Sequence, residues 1–273
     1  MSITKAGEIN IEYYVEGEGP PLLLIMGYSG QALSWGEPFL APLRERFRVI
    51  RFSNRGTGLS DKPESPTTIR QMADDAVNLL DAAGVAGAHI CGISMGGMIA
   101  QEVALTYPER VRGLVLGCTA SGGAHGPQAA PEVMAMMMPV PGMSREEMVR
   151  KAWPAICSAP FIETRGDFLE EMLRASLEHP TPIRTLGTQM AAILSFDAYD
   201  RLPQIKAPTL VVHGDVDVLV PPGNGRLLHE RIPGSELVML PGAAHMFFWE
   251  QPAAAAGAIT EFLSRVPAGS HAG

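Results

Sequence analysis

Largely apolar runs recur along this chain, each closed by turn-forming residues. Pro21-Leu22-Leu23-Leu24-Ile25-Met26, Ala88-His89-Ile90-Cys91, Val111 to Leu116 and Thr209-Leu210-Val211-Val212-His213 are the main ones. Short runs of this kind, with no polar alternation, read as strands covered on both faces. Phe47 to Phe52 and Glu236 to Leu240 read as further strands. Glu8 to Val15 alternates in part and predicts an early strand, closed by Glu16-Gly17-Glu18-Gly19-Pro20. Between the runs the apolar spacing becomes helical. Helices are predicted over Glu37 to Arg46, from a cap at Thr67 or Thr68 to about Ala83 with Gly84 beyond it, and from the end of the Ala88 run to near Pro108. Two more follow, Gly223 to Ile232 and Ala253 to Ser264. Strands alternating with helices over short turns imply a parallel sheet with right-handed crossovers.

The rhythm breaks between Ser121 and Tyr199, where no strong buried strand is found. This stretch opens with a proline- and methionine-rich run, Pro131 to Met143. Helical spacing follows from Arg145 to Cys157, interrupted by Pro154, and from Phe168 to Glu178. The expected fold is therefore α/β: a mostly parallel, doubly wound sheet formed by residues 1–120 and 200–273, with a helical cap inserted over 121–199. The small residues from Val266 to Gly273 predict a frayed tail.

Composition narrows the class. The 273 residues are 46% hydrophobic and 18% charged, with a formal net charge of -8. Without a basic cluster, nucleic-acid and anionic-membrane partners are not expected. The first residues lack a signal-peptide core, and no run reaches membrane-spanning length. Cys91, Cys118 and Cys157 have no metal-ligand spacing; Cys91 and Cys118 read as small buried hydrophobes, and the expected compartment is reduced and cytoplasmic.

The candidate chemistry starts at the end of the Ala88 run, in Gly92-Ile93-Ser94-Met95-Gly96-Gly97. Gly-x-Ser-x-Gly at a strand-to-helix turn is a nucleophile elbow. The turn demands small residues two before and two after the serine, and it presents the hydroxyl above a helix N-terminus that favours developing negative charge. A serine at neutral pH needs a base within reach, and that base needs a group to orient it. His245 follows the strand at Glu236–Leu240, and Asp215 and Asp217 follow the strand at Thr209–His213. Both loops lie where an open α/β sheet forms its crevice. His213 ends its strand and reads as a structural hydrogen-bonding residue. His89 and His229 lie inside elements, and His125 and His179 fall in the cap. Two aspartates alone are a weak metal site, so neither a metal ion nor a cofactor is expected.

In order, spacing and loop placement, Gly92 to Gly97, Gly214-Asp215-Val216-Asp217 with Pro221, and Gly242-Ala243-Ala244-His245 with Glu250 and Pro252 resemble the α/β-hydrolase superfamily. Arg55-Gly56-Thr57-Gly58-Leu59-Ser60 is similar to a loop common there. The resemblance implies Ser94 as nucleophile, His245 as base and Asp217, three residues after Gly214, as the acid. It also implies an oxyanion hole from the backbone N–H groups of Met95 and Tyr28. Two departures stand out. Met26-Gly27 replaces the family's frequent His-Gly, which alters the polar wiring under the oxyanion loop. Ser53 stands where an acidic residue often precedes the loop arginine, which predicts a rearranged anchor.

The expected activity is hydrolysis of small to medium apolar carboxylic esters through an acyl-enzyme. Met134, Met137 and Met138 of the cap are candidate contacts to a small ester or lactone. The elbow helix and Thr119-Ala120-Ser121-Gly122 also resemble enol-lactone hydrolases of aromatic catabolism, the second reading. C–C bond hydrolases share the three catalytic residues, but no basic pocket for acidic substrates is evident. The alternative from another class is a non-catalytic binding protein on the same fold.

Overall fold

The computed structural model describes residues 1–266; residues 267–273, most of the expected frayed tail, lie outside it. Strands β1 (Ser2–Ala6) and β2 (Ile9–Glu16) form a hairpin, followed by β3 (Pro21–Ile25), helix α1 (Glu37–Arg44) and β4 (Arg48–Phe52). Then come α2 (Ile69–Ala82), β5 (Ala88–Ile93), α3 (Met95–Thr106) and β6 (Val111–Gly117). Five helices follow before the sheet resumes: α4 (Pro131–Met137), α5 (Arg145–Ile156), α6 (Ala159–Thr164), α7 (Gly166–Glu178) and α8 (Ile183–Ser195). The chain closes with β7 (Thr209–Gly214), α9 (Gly223–Arg231), β8 (Glu236–Leu240), α10 (Phe247–Glu250) and α11 (Pro252–Arg265).

The strands form one eight-stranded sheet in the order β1-β2-β4-β3-β5-β6-β7-β8. Only the β1–β2 and β2–β4 pairs are antiparallel; the rest run parallel. From β3 the chain steps to β4 on one side and then to β5 on the other. The carboxyl ends of β3 and β5 therefore flank the point where strand order reverses, which is where an open α/β sheet leaves a crevice.

Side-chain alternation divides the apolar runs between two cores. Leu23 and Ile25 of β3, Ile90 of β5 and Leu114 and Leu116 of β6 meet Leu79, Leu80, Ile99 and Val103 of α2 and α3. Leu22 and Leu24, Cys91 and Ile93, and Val115 face Phe39, Leu43, Ile259 and Phe262 of α1 and α11, with the tilted rings of Trp35 and Phe248 in contact nearby. Truncating a leucine at such a position costs about 2–5 kcal/mol.

Helix ends follow their capping chemistry. Thr68, not Thr67, caps α2: its Oγ1 accepts from Gln71 N–H at 3.1 Å, and Gln71 Oε1 accepts from Thr68 N–H at 3.1 Å. Ser144 and Glu147 make the same reciprocal pair at α5. That helix runs unbroken through Pro154, which sits in its last turn, where the lost N–H removes one bond without ending the coil. Strand β1 and helices α4, α6, α8 and α10 add to the expected elements. In α8 the inward stripe is Thr185, Leu186, Gln189 and Ala192, half of it polar, so apolar spacing does not reveal it. Between β6 and β7, among the described residues, backbone pairing outside the sheet is limited to a bridge from Gly122 to Asp197.

Candidate active site

Ser94 sits between β5 and α3 with φ 57° and ψ −123°, a backbone conformation that costs a non-glycine residue about 1–3 kcal/mol. Its surroundings hold it there. Ser94 N–H donates to Gly117 O at 2.9 Å, and Ser94 O accepts from Gly97 N–H at 2.8 Å and from Thr119 Oγ1 at 2.7 Å. A Cβ on Gly92 would run into the Gly96 carbonyl, and one on Gly96 would run into the carbonyl of Ile25. The small-residue demand of the turn is thus a real steric one. On the far side, Gly27 packs against Ser94, where an added Cβ would lie 3.0 Å from the serine Cβ.

His245 and Asp217 come together from the loops after β8 and β7. His245 Nδ1 is 2.8 Å from Asp217 Oδ2, and both residues are buried. The other carboxylate oxygen accepts from the N–H groups of Leu219 (2.9 Å) and Val220 (2.8 Å). Asp215 does something else: exposed, it accepts from Gly242 N–H at 2.7 Å and ties the two loops together. A Cβ on Gly214 would meet the Ala243 and Ala244 carbonyls, so the acid loop packs directly on the histidine loop.

The electrostatics follow from burial and pairing. Burial alone would raise the Asp217 carboxyl. The His245 charge, helped by hydrogen bonds from His213 and His245, overrides it and holds the carboxyl down at about 2. For His245, burial disfavours the imidazolium, but the Asp217 charge and the neighbouring Cys118 outweigh it and raise the ring well above its ordinary value.

Two further residues adjoin this pair. His213 Nε2 is 2.8 Å from Val220 O and 3.5 Å from Asp217 Oδ2, so it braces the acid loop, in keeping with the structural role expected of it. Its Nδ1 is buried without a hydrogen-bond partner among the described residues. Cys118, directly after β6 with φ 37°, places its thiol in hydrogen-bond contact with the His245 ring; burial pushes that thiol up. Cys118, Asp217 and His245 offer ligand atoms within 4.8 Å of one another. His245 Nδ1 and Asp217 Oδ2 are already in hydrogen-bond contact with each other, an arrangement that orients the imidazole.

The loop after β3 is held from two directions. From the sheet side, Asn54 Nδ2 donates to Met26 O at 2.8 Å, and Ser53 Oγ accepts from Ala32 N–H at 3.0 Å. Ser53 Oγ in turn donates to Glu12 Oε2 at 2.8 Å, an oxygen that also accepts from Leu59 N–H. The carboxylate missing at position 53 therefore arrives from β2, which is the rearranged anchor the departure predicted. From the helical side, Gln189 of α8 is fully buried; its Oε1 accepts from Ser29 N–H at 2.9 Å and its Nε2 donates to Arg55 O at 3.4 Å. Gln31 Nε2 donates to His179 O at 2.7 Å. Gln189 is the residue that reading the chain missed, because a buried glutamine has no sequence signature beyond interrupting an apolar stripe.

Two cavities open beside Ser94. One, of about 190 Å³, is bordered by His245, Met246, Trp153, Trp249 and Met172. The other, of about 280 Å³, is bordered by Met95, Met98, Thr119, Met134 and Met190. Tyr28, Ser94, Met137 and Leu219 border both. Met138 departs from expectation: it is 44% exposed at the end of α4 and borders neither cavity. His125 stacks on Tyr199 at the surface, and His229 bonds Ser235; neither reaches the site. His89 is buried under Phe47, and burial with nearby Arg112 lowers it to about 4.

Known proteins carry the same plan. A protein named as a carbamate hydrolase, RutD, of Azorhizobium caulinodans is 33% identical over 248 residues, covering 90% of this chain and 92% of its own. The enol-lactonase of Burkholderia xenovorans LB400 superposes with a TM-score of 0.85 at 26% identity, over 96% of this chain and all of that one. The esterase RhEst1 of Rhodococcus sp. ECU1013 gives 0.84 at 29% identity, over 98% and 100%. Among the described residues no helix is long and apolar enough to cross a membrane. Residues 22–258, from β3 into the last helix and across the whole helical segment, match the alpha/beta hydrolase family, to which this chain belongs.

Proposed function

We propose that the protein is a serine hydrolase cleaving neutral, apolar carboxylic esters through an acyl-enzyme. The observation that carries this reading is the His245–Asp217 pair, 2.8 Å apart and buried, facing the cavity that Ser94 also borders. In this reading His245 takes the Ser94 proton as the oxygen attacks the ester carbonyl, and Asp217 stabilises the resulting imidazolium. The N–H of Met95, first in α3 and without an intrahelical acceptor, and that of Tyr28 receive the oxyanion. His245 then returns the proton to the departing alcohol, and water repeats the sequence on the acyl-enzyme. Residues 121–199 act as a cap, supplying Met134 and Met137 to the cavities.

Ester is favoured over an acidic lactone by the cavity walls. Among the described residues, neither cavity is bordered by Lys, Arg, Asp or Glu, so a substrate carboxylate would be desolvated with no Lys or Arg in the walls to pair with it. The enol-lactonase relative keeps lactone hydrolysis as the second reading. A small-molecule substrate and no dissociable cofactor complete the proposal. The test is labelling with a fluorophosphonate probe alongside hydrolysis of p-nitrophenyl acetate. Native protein is expected to label and turn over, and Ser94→Ala to do neither. An unlabelled native protein would overturn the assignment in favour of a binding protein, and equal labelling of the two would remove Ser94 as the nucleophile.

A further inference from the structure

We infer that the substrate is an ester with two sizeable apolar arms, whose alcohol arm lies in the Trp153–Trp249 cavity and whose acyl arm lies in the Met134–Met190 cavity. The inference rests on the acyl-enzyme reading above and adds the direction in which the substrate lies. Its ground is an asymmetry in the walls: Ser94 borders both spaces, but His245 borders only the first, and Met95 only the second.

The chemistry converts that asymmetry into an orientation. When Ser94 Oγ adds to the carbonyl carbon, the tetrahedral centre carries four groups: the serine oxygen, the oxyanion, the acyl carbon chain and the alkoxy oxygen. The serine proton has moved to His245. For the intermediate to collapse, the bond from carbon to the alkoxy oxygen breaks, and that oxygen takes the proton from His245 as the alcohol leaves. The alkoxy oxygen must therefore lie within hydrogen-bond reach of the imidazole, about 2.6–3.2 Å. Its alkyl group then projects into the cavity that the imidazole borders. The acyl chain points the other way, past Met95, into the second cavity. Departure of the alcohol empties the first cavity, so the water that cleaves the acyl-enzyme enters beside the same histidine.

Size and wall chemistry then describe the arms. A dry cavity of roughly 150 Å³ accepts a benzene ring. The alcohol cavity, about 190 Å³ and walled by Trp153 and Trp249, suits a single ring. The acyl cavity, about 280 Å³ with Met98, Met134 and Met190 around it, suits a longer flexible chain that polarizable thioethers can follow. Met137 and Leu219 stand at the junction, so a substrate occupying both spaces is bent around Ser94.

Two ester series separate the arms: p-nitrophenyl esters of acetate to octanoate vary the acyl chain, and acetates of methyl, butyl and benzyl alcohol vary the other. In native protein kcat/KM is expected to rise roughly threefold to fourfold for each methylene buried along the acyl series. Met190→Phe, which fills the acyl cavity, is expected to cut hexanoate at least tenfold while leaving benzyl acetate within twofold. Trp153→Ala is expected to do the reverse. Leu194→Trp, on an exposed residue at the rim of the acyl cavity, repeats the first test should Met190→Phe fail to fold. Crossed effects, with Met190→Phe lowering benzyl acetate or Trp153→Ala lowering hexanoate, overturn the orientation, as does an acyl series flat within twofold. Fluorophosphonate labelling keeps this apart from the parent proposal: an unlabelled native protein refutes the hydrolase reading, whereas labelled protein with crossed effects refutes the orientation alone.

Discussion

The sheet and the helical segment between β6 and β7 build the site by different physics. The sheet places Ser94, Asp217 and His245 through backbone constraints: parallel register, short loops and glycines at positions where a Cβ would strike a carbonyl. The helical segment works through side chains. Its own buried cluster is small, around Cys157, Phe161, Phe168 and Leu169, and it grips the sheet through Gln189, Thr181 and the carbonyls of Ser176 and His179. Position in the first region is set by the fold itself. In the second it depends on a few polar contacts, each worth about 0.5–1.5 kcal/mol, together with the packing of Phe168 on Trp249 and of Ala192 and Phe196 in the main core. In the proposed function the chemistry falls to the sheet loops, and the helical segment shares the pocket walls with them.

The strongest break of that comparison is in the sheet loops. Asp217→Asn is expected to lower kcat on the order of 10⁴-fold, since the amide cannot stabilise the imidazolium. Asp215→Asn is expected to stay within about threefold, because it loses only an exposed bond to Gly242 N–H. The pH profile supplies the sign. Asp217 raises His245 above its ordinary value, so the imidazole stays protonated to higher pH and cannot act as base there. The acid limb of kcat/KM should thus lie above the roughly 6.5 of a free imidazole. In Asp217→Asn the raising charge is gone and the residual activity should carry its acid limb to lower pH. An unmoved limb, or a larger loss in Asp215→Asn, would reverse the assignment of the acid.

The same contrast explains what could be read along the chain. Apolar runs and glycine demands are local, so the strands from β2 to β8 (though not the short, exposed β1), the elbow, the acid loop and the histidine loop were legible. So was the consequence of Ser53, although the carboxylate that replaces its missing charge sits on Glu12, 41 positions away, where no pattern points to it. In the helical segment, short helices begin at prolines such as Pro131, and Gln189 and Thr185 interrupt the stripe of α8. The burial of Gln189 is justified by partners in the loops after β3 and β4. A buried polar residue becomes intelligible when its acceptor is known, and sequence spacing does not contain the acceptor.

Gln189 is the place to sharpen the comparison at intermediate magnitude. Ser29 holds a φ of 57°, and the amide oxygen of Gln189 accepts its N–H, next to the Tyr28 N–H assigned to the oxyanion. Gln189→Leu keeps the volume and removes both hydrogen bonds. The expected result is roughly a tenfold loss in kcat with little change in KM, since a displaced oxyanion donor weakens the transition state more than the ground state. Gln189→Glu keeps the acceptor for Ser29 and should recover part of the rate. Equal losses in both variants, tracking a fall in melting temperature, would reduce Gln189 to a packing residue.

Met137 and Met138 test the segment at the smallest scale. They are adjacent and chemically identical, and only their placement differs. Met137 borders both cavities at the point where they meet Ser94, whereas Met138 turns outward and its carbonyl accepts from Lys151 Nζ at 3.0 Å. That hydrogen bond uses the backbone, so Met138→Ala leaves it in place and removes only exposed side-chain surface. Its kcat/KM for every ester should stay within twofold of native, within the range of ordinary surface substitutions. Met137→Ala opens the junction between the cavities and should lower the discrimination between long and short acyl chains. If Met138→Ala instead alters chain preference, α4 must close further over the site during turnover than its resting position shows. The helical segment would then be a moving part of the pocket as well as part of its wall.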